Sequence, residues 1–422
     1  MEGFSALSGR RVALFALLSA ILISNIGNTV ARLAVPWYVL ATTENPSRTG
    51  LAAFFGMAPL VFGAFFGGGV ADRLGFKRTS VLADLLSGLS VAGIPLLAST
   101  VGLPFPVLLA LVALGALFDS TGDTARSALI LGLADESQMS LERVNSLEEV
   151  ALRLPLLIGP PIAGTLIAVL DVSSVLWLDA VSFGLSALVV SLFVNVWGRT
   201  PREAFALGYG DDLLQGLRVV SKNQVLLAVV GLNALTSAML APLASVLMPV
   251  YMRGIGRTAL DLGLLIAVVG VGGLIGVGTF YIAGRRIPRR LLVSVGPLGL
   301  GAVALALATV PPYGVMAVVG FLGGIAFGPF GPLLTTIAAE QTPEPVRGRV
   351  FGTLIALATV ASPVGVLLAG LALQVVGVQP TIALIGLCLL LLAAWTAITP
   401  KLRGLRPGYE PVHGRQGLSE CA

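Results

Sequence analysis

The chain reads as long apolar stretches separated by short polar ones. A helix needs about 20 mostly apolar residues to cross a bilayer. Twelve stretches reach that length, at about 12–41, 50–71, 79–99, 105–133, 143–170, 175–197, 223–250, 259–283, 290–310, 313–338, 349–376 and 379–399. Several are interrupted by Gly or Pro, which membrane helices tolerate where neighbours satisfy the freed backbone groups. The first stretch runs from Val12 to about Ala41. That is too long for the apolar core of a cleavable signal, so a span is expected there. The pattern predicts an all-α integral membrane protein.

Composition narrows the function classes. Of the 422 residues 56% are hydrophobic and 11% charged, against about 25% charged in ordinary soluble domains. So few charges could not cover a soluble enzyme, and disorder needs low hydrophobicity. A nucleic-acid partner is not expected despite the net charge of +5. The cysteines, Cys388 and Cys421, and the single histidine, His413, build no metal cluster and no nucleophile–base pair. Neither a cofactor nor an enzyme activity is expected, and a proton carrier within the membrane would be a carboxylate. Gly263, Gly270, Gly273 and Gly276 read as a helix-packing seam. No phosphate-binding Lys follows them, so the energy source expected is a proton gradient and not ATP.

Lysine and arginine set the orientation. With the N-terminus inside, twenty basic residues fall in inner segments and three, Arg48, Arg253 and Arg257, in outer loops. Both termini are therefore expected in the cytoplasm, with the chain multi-pass in the plasma membrane. The longest polar stretch divides the chain into a first six-helix half at 1–197, a cytoplasmic linker at 198–222, a second half at 223–399 and a tail at 400–422 expected to be disordered. Arg143-Val144 and Ala163-Gly164 recur 206 residues later as Arg349-Val350 and Ala369-Gly370. That echo suggests a duplicated six-helix unit.

The strongest local signal is Gly68-Gly69-Val70-Ala71-Asp72-Arg73-Leu74-Gly75-Phe76-Lys77-Arg78. It matches G-x-x-x-D-R-x-G-x-[RK]-[RK] at every fixed position and falls in the turn between spans two and three. Gly68 suits close helix approach and Gly75 a tight turn. Asp72 can cap or pair across to the other half, with Arg73, Lys77 and Arg78 beside it, as a latch on the inner side. The equivalent segment Gly284-Arg285-Arg286-Ile287-Pro288-Arg289-Arg290 keeps the bases and lacks the acid. In span five, Gly159-Pro160-Pro161-Ile162-Ala163-Gly164 resembles the G-P-x-x-G-G end of the drug-antiporter motif.

On these residues the chain resembles the major facilitator superfamily over its whole length. Further residues resemble the drug-efflux branch that includes Tap-type and macrolide-type pumps. They are Gly27, Ala34-Val35-Pro36-Trp37, Ala83-Asp84, Thr124-Ala125-Arg126, Val144-Asn145 with Glu149, and Arg347-Gly348-Arg349-Val350. The resemblance implies twelve helices in two pseudo-symmetric six-helix halves, and Gly159, Pro160, Pro161 and Gly164 as a kinked helix at their interface. Tap-like sequences often carry an acid where this chain has Asn28.

Charges at membrane depth mark function. Arg32, Asp84, Asp119, Asp123, Arg126, Glu148, Glu149, Arg153 and Asp179 all lie in the first half. Asp119, Asp123 and Arg126 share one face of span four, and Glu149 and Arg153 one face of span five. At 1.5 Å per residue, Arg126 and Glu149 stand about 10 and 9 Å from the inner side, and Asp123 and Arg153 both about 15 Å. If spans four and five are antiparallel neighbours, Arg126 pairs with Glu149 and Asp123 with Arg153. Asp119 is then left without a partner and is the expected proton carrier. Arg32 reaches Asp119 or Asp179.

Asn25, Asn28, Trp37, Tyr38, Phe62, Phe66, Asn233 and Phe327 are candidate substrate contacts, since aromatic and amide groups suit varied amphiphiles. The expected function is drug:proton antiport by a monomer, with amphiphilic small molecules, protons and the bilayer as its partners. A dedicated exporter of one metabolite such as a siderophore, and an uncoupled facilitative transporter, are the alternatives.

Overall fold

A computed structural model describes residues 2–194, 209–283 and 287–399. The start of the linker, at 195–208, lies outside the described residues, as do Gly284, Arg285 and Arg286 and the tail at 400–422.

Six long helices build the first half: α1 (Glu2–Thr43), α2 (Pro46–Leu74), α3 (Phe76–Thr100), α4 (Phe105–Ser137), α5 (Leu141–Val169) and α6 (Val172–Phe193). A short amphipathic helix, α7 (Tyr209–Lys222), precedes the second half. That half comprises α8 (Gln224–Pro242), a π-helical turn at Leu243–Leu247, α9 (Met248–Gly254), α10 (Ala259–Ala283), α11 (Arg289–Ala308), α12 (Tyr313–Phe327), α13 (Phe330–Glu340), α14 (Arg347–Val376) and α15 (Val378–Ile398). Among the described residues twelve helical segments are long and apolar enough to cross a membrane. The seventh expected span contains the π turn after Pro242, and the tenth breaks at Gly328 and Pro329.

Local sequence explains the boundaries. Asn45 accepts hydrogen bonds from the backbone N–H groups of Ser47 and Arg48, with Pro46 opening α2. Asn223 caps α8 in the same way. Gly75, at φ +89°, separates α2 from α3, and Gly377, at φ +84°, separates α14 from α15. Both conformations suit a residue without a β-carbon.

The two halves pack by parallel rules. α2 lies on α4 as α10 lies on α12, and α3 on α6 as α11 on α15. Between the halves α5 packs on α10 and α2 on α14. Lipid supplies little hydrophobic drive for these contacts, so small residues and close packing carry them. Gly164 meets the backbone of Ala259 and Leu260, Gly263 that of Pro160, and Gly50 that of Gly370.

The cores show where the halves join. One core cluster mixes both halves, with Trp37, Ala163 and Leu176 beside Val246, Tyr251, Leu262 and Val366. Two others are separate: one from the first half around Leu14, Ala128 and Val190, and one from the second around Leu226, Leu334 and Val350. The halves thus share a core at the end carrying Arg48 and Arg257 and part at the end carrying Arg73, Arg78 and Arg289. These are called the closed end and the open end below.

Candidate functional site: a cavity walled by buried acids

Between the halves lies a cavity of about 350 Å³. Its wall is mainly apolar, with Val35, Met57, Leu60, Val91, Ile94, Leu111, Val112 and Phe183. Asn28, Arg32, Asp119 and Asp179 are the polar groups from the first half, and Ser245, Thr359 and Ser362 those from the second.

Behind this wall sits Arg126, 2% exposed. Its Nη1 donates to Asp84 Oδ1 at 2.6 Å, and its Nη2 to Asp123 Oδ1 at 2.7 Å and Asp119 Oδ1 at 3.4 Å. Asp84 Oδ2 accepts from Ser186 Oγ at 2.7 Å, and Asp119 Oδ2 from Asn28 Nδ2 at 2.9 Å. The network thereby ties α1, α3, α4 and α6 together. Gly122 lies under the guanidinium, where a β-carbon would stand 3.5 Å from Nη2. Buried charges persist only when paired and hydrogen-bonded in this way.

The expected crossed pairs are not made. Arg126 turns toward α3 and binds Asp84, not Glu149. Glu149 instead accepts from Arg153 Nε at 2.7 Å on the same helix, with side chains 57% and 72% exposed. The reason is helix arrangement. α4 packs against α2 and α3, whereas α5 packs against α1 and against α10 of the other half. Spans four and five are consecutive but not close neighbours. Asp119 is likewise not left alone, since Asn28 and Arg126 both bind it. Asp84 enters the network, although its membrane depth and its place in the resemblance to the efflux branch gave no sign of this partner. Arg32 lines the same cavity as Asp119 and Asp179, but among the described residues it forms the expected ion pair with neither.

Of the candidate substrate contacts, Asn28 lines the cavity and the others stand elsewhere. Asn25 donates to its own helix at Ile21. Trp37 is buried in the shared core, and Tyr38 lines a smaller pocket at the closed end with Arg48 and Phe105. Phe62 and Phe66 are exposed, because the adjoining face of α2, with Gly63 and Gly67, is the one packed against α4. Asn233 donates to the carbonyl of Leu354, and Phe327 stacks on Phe330 at 5.2 Å.

The motif between α2 and α3 lies at the open end. Gly75 makes the expected turn. Lys77 Nζ donates to the carbonyl of Ser191 on α6 at 2.9 Å. Asp72, Arg73 and Arg78 are exposed, and among the described residues Asp72 forms no ion pair. A β-carbon on Gly68 would meet nothing within 4 Å, so the expected close approach there is not made with this end open. Of the basic residues opposite, Arg289 pairs with Glu340, Nη2 to Oε1 at 2.7 Å, within its own half. In α5, Gly159 packs on Thr29 of α1, while Pro160 and Gly164 contact α10. Those residues therefore stand at the interface between halves.

The Major Facilitator Superfamily model matches residues 17–318 and 282–417. The chain belongs to the major facilitator superfamily. It is 32% identical over 395 residues to the multidrug efflux pump Tap of Mycobacterium tuberculosis, covering 93% of this chain and 94% of that one. Its identity to the Tap pump of Mycolicibacterium fortuitum is 30% over 406 residues, or 95% and 99% of the two chains. The enterobactin exporter EntS of Escherichia coli O1:K1 is more distant, at 27% over 346 residues, with 80% and 79% covered. Among solved structures, a bacterial homologue of the lysosomal transporter Spinster superposes with TM-score 0.71 at 14% identity, covering 94% of this chain and 97% of that one. The nucleoside transporter NupG does so with TM-score 0.69 at 11% identity, covering 91% and 98%. This member of the superfamily is a multi-pass membrane transporter of small molecules and not an enzyme.

Proposed function

We propose that this transporter exports amphiphilic, drug-like molecules in exchange for protons, by alternating access. The observation that carries the reading is the asymmetry of the cavity. Both halves supply its apolar lining, while its charged groups, Arg32, Asp119 and Asp179, come from the first half alone. An apolar chamber suits varied amphiphiles, and buried carboxylates suit proton coupling. The Tap relatives, named multidrug efflux pumps, support the drug-like cargo.

The basic end faces the cytoplasm by the charge bias of the loops. On this reading the open end is the cytoplasmic one, the conformation is inward-open, and the transporter works as a monomer in the plasma membrane. Closing this end dries the cavity wall. An ionised acid there becomes costly, so protonating it favours one state over the other. The Asp119–Asn28 contact joins the arginine-bound network to α1 and so to the cavity. Asp119, Asp123 and Arg126, with Arg32 beside them, form the coupling group. Glu149 and Arg153, paired with each other and exposed on α5, stand apart from that group.

The test is Asp119→Asn in proteoliposomes with an imposed pH gradient and ethidium as the probe. Ethidium export should lose its dependence on the gradient. Unaltered coupling in the variant sinks the assignment. The EntS likeness favours a second reading, a dedicated siderophore exporter. A catechol siderophore as sole transported compound in an efflux-deficient host would support it.

A further inference from the structure

We propose that Asp179 is a second proton-carrying carboxylate of the cavity, set on α6 apart from the arginine-bound acids. The inference rests on the proton-coupled reading above.

Asp179 is 1% exposed and stands in the cavity wall. Its surroundings differ from those of the other acids. Asp84 is held by Arg126 and Ser186, Asp119 by Asn28 and Arg126, and Asp123 by Arg126 with half its side chain exposed. Asp179 Oδ2 has no hydrogen-bond partner among the described residues. Oδ1 lies 3.4 Å from Ser182 Oγ, whose proton already goes to the Asp179 carbonyl at 2.8 Å. A carboxyl oxygen enclosed without a donor is a place for a proton, because the proton removes the uncompensated charge.

The neighbours agree. Gly27 of α1 lies over the carboxyl group, and a β-carbon there would collide with Asp179 Oδ1 and Ser182 Oγ. Arg32 of α1 and Asp119 of α4 are the charges that bear on it. Asp84 of α3 is committed to Arg126, and on α5 Glu149 and Arg153 are committed to each other. No cation is therefore bound to Asp179 among the described residues.

Position supplies a role. Asp179 stands about 10 Å along α6 from its closed-end start, and Asp119 about 21 Å along α4 from the same end. Asp179 is the acid nearer the closed end. It takes a proton from water when that end opens and releases it to cavity water past Arg32 and Asp119 when the other end opens. Only an O–H bond forms and breaks.

The test uses full-length protein in lipid nanodiscs. Infrared spectra at neutral pH should show a protonated-carboxyl stretch that is lost in Asp179→Asn and restored in Asp179→Glu. A stretch unchanged in Asp179→Asn overturns the proposal. In proteoliposomes, proton movement coupled to ethidium should fall to that of empty liposomes in Asp179→Asn and recover in Asp179→Glu. Loss of the stretch with coupling intact also overturns it. If wild-type protein moves no protons with ethidium but the stretch depends on Asp179, the coupling reading fails and this one falls with it. If wild-type coupling is present and unaffected, only the assignment to Asp179 fails.

Discussion

Gly50 of α2 and Gly370 of α14 meet backbone to backbone: a β-carbon on Gly50 would stand 2.9 Å from Gly370 Cα. The contact has a counterpart. Gly164 lies 206 residues before Gly370, and Ala259 lies 209 residues after Gly50; Gly164 and Ala259 also touch. Beside each contact an arginine covers a ring of its own half, Arg48 over Phe105 at 5.2 Å and Arg257 over Tyr313 at 5.1 Å. The closed end is thus built twice, from equivalent positions of the duplicated unit.

A side chain at the glycine contact should hold this end apart. In Gly370→Val the distance between spin labels at Glu44→Cys and Gly254→Cys lengthens, and export falls. A distance unchanged from the glycine background would contradict this.

The arginine at the centre of the acids should be costly to remove. Arg126→Leu leaves Asp84 and Asp119 buried without their cation, at a cost of about 3–5 kcal/mol. Thermal unfolding in detergent should show a large drop in midpoint.

The exposed pair on α5 should behave differently. Arg153→Ala removes a solvent-screened i, i+4 contact worth about 0.3–0.5 kcal/mol. The unfolding midpoint should barely move. A loss as large as that of Arg126→Leu would instead favour the crossed pairing of α5 with α4.

Gly75 sits at φ +89° and ψ 139°, a conformation that other residues adopt at a cost of about 1–3 kcal/mol. Gly75→Ala should lower the unfolding midpoint, with Phe76→Tyr beside it as a control of unchanged backbone.

Filling the cavity should separate wall from surface. Ser362→Trp places a large ring in a chamber of about 350 Å³ and should block ethidium export. Phe66→Ala, on an exposed position of α2, should leave it unchanged.

The twelve apolar stretches, the all-helical class and the Gly75 turn were legible because lipid demands continuous, internally bonded helices and because a positive φ demands a particular residue. The repeated Arg143-Val144 and Arg349-Val350 fall at the same place in their helices, the third and fourth residues of α5 and α14. The partners of the buried charges were not legible. Helical periodicity places Asp119, Asp123 and Arg126 on one face of α4, but it does not say which helix that face meets. Nearness in the chain suggested α5; packing put α3 there and delivered Asp84 to Arg126. The same limit hid the cavity: Phe62 and Phe66 suit a ligand by chemistry, yet Gly63 and Gly67 turn that helix so that they face away. Sequence alone decided what each segment is, since that depends on neighbours along the chain. Tertiary structure alone decided which side chains meet, since that depends on how whole helices rotate and cross.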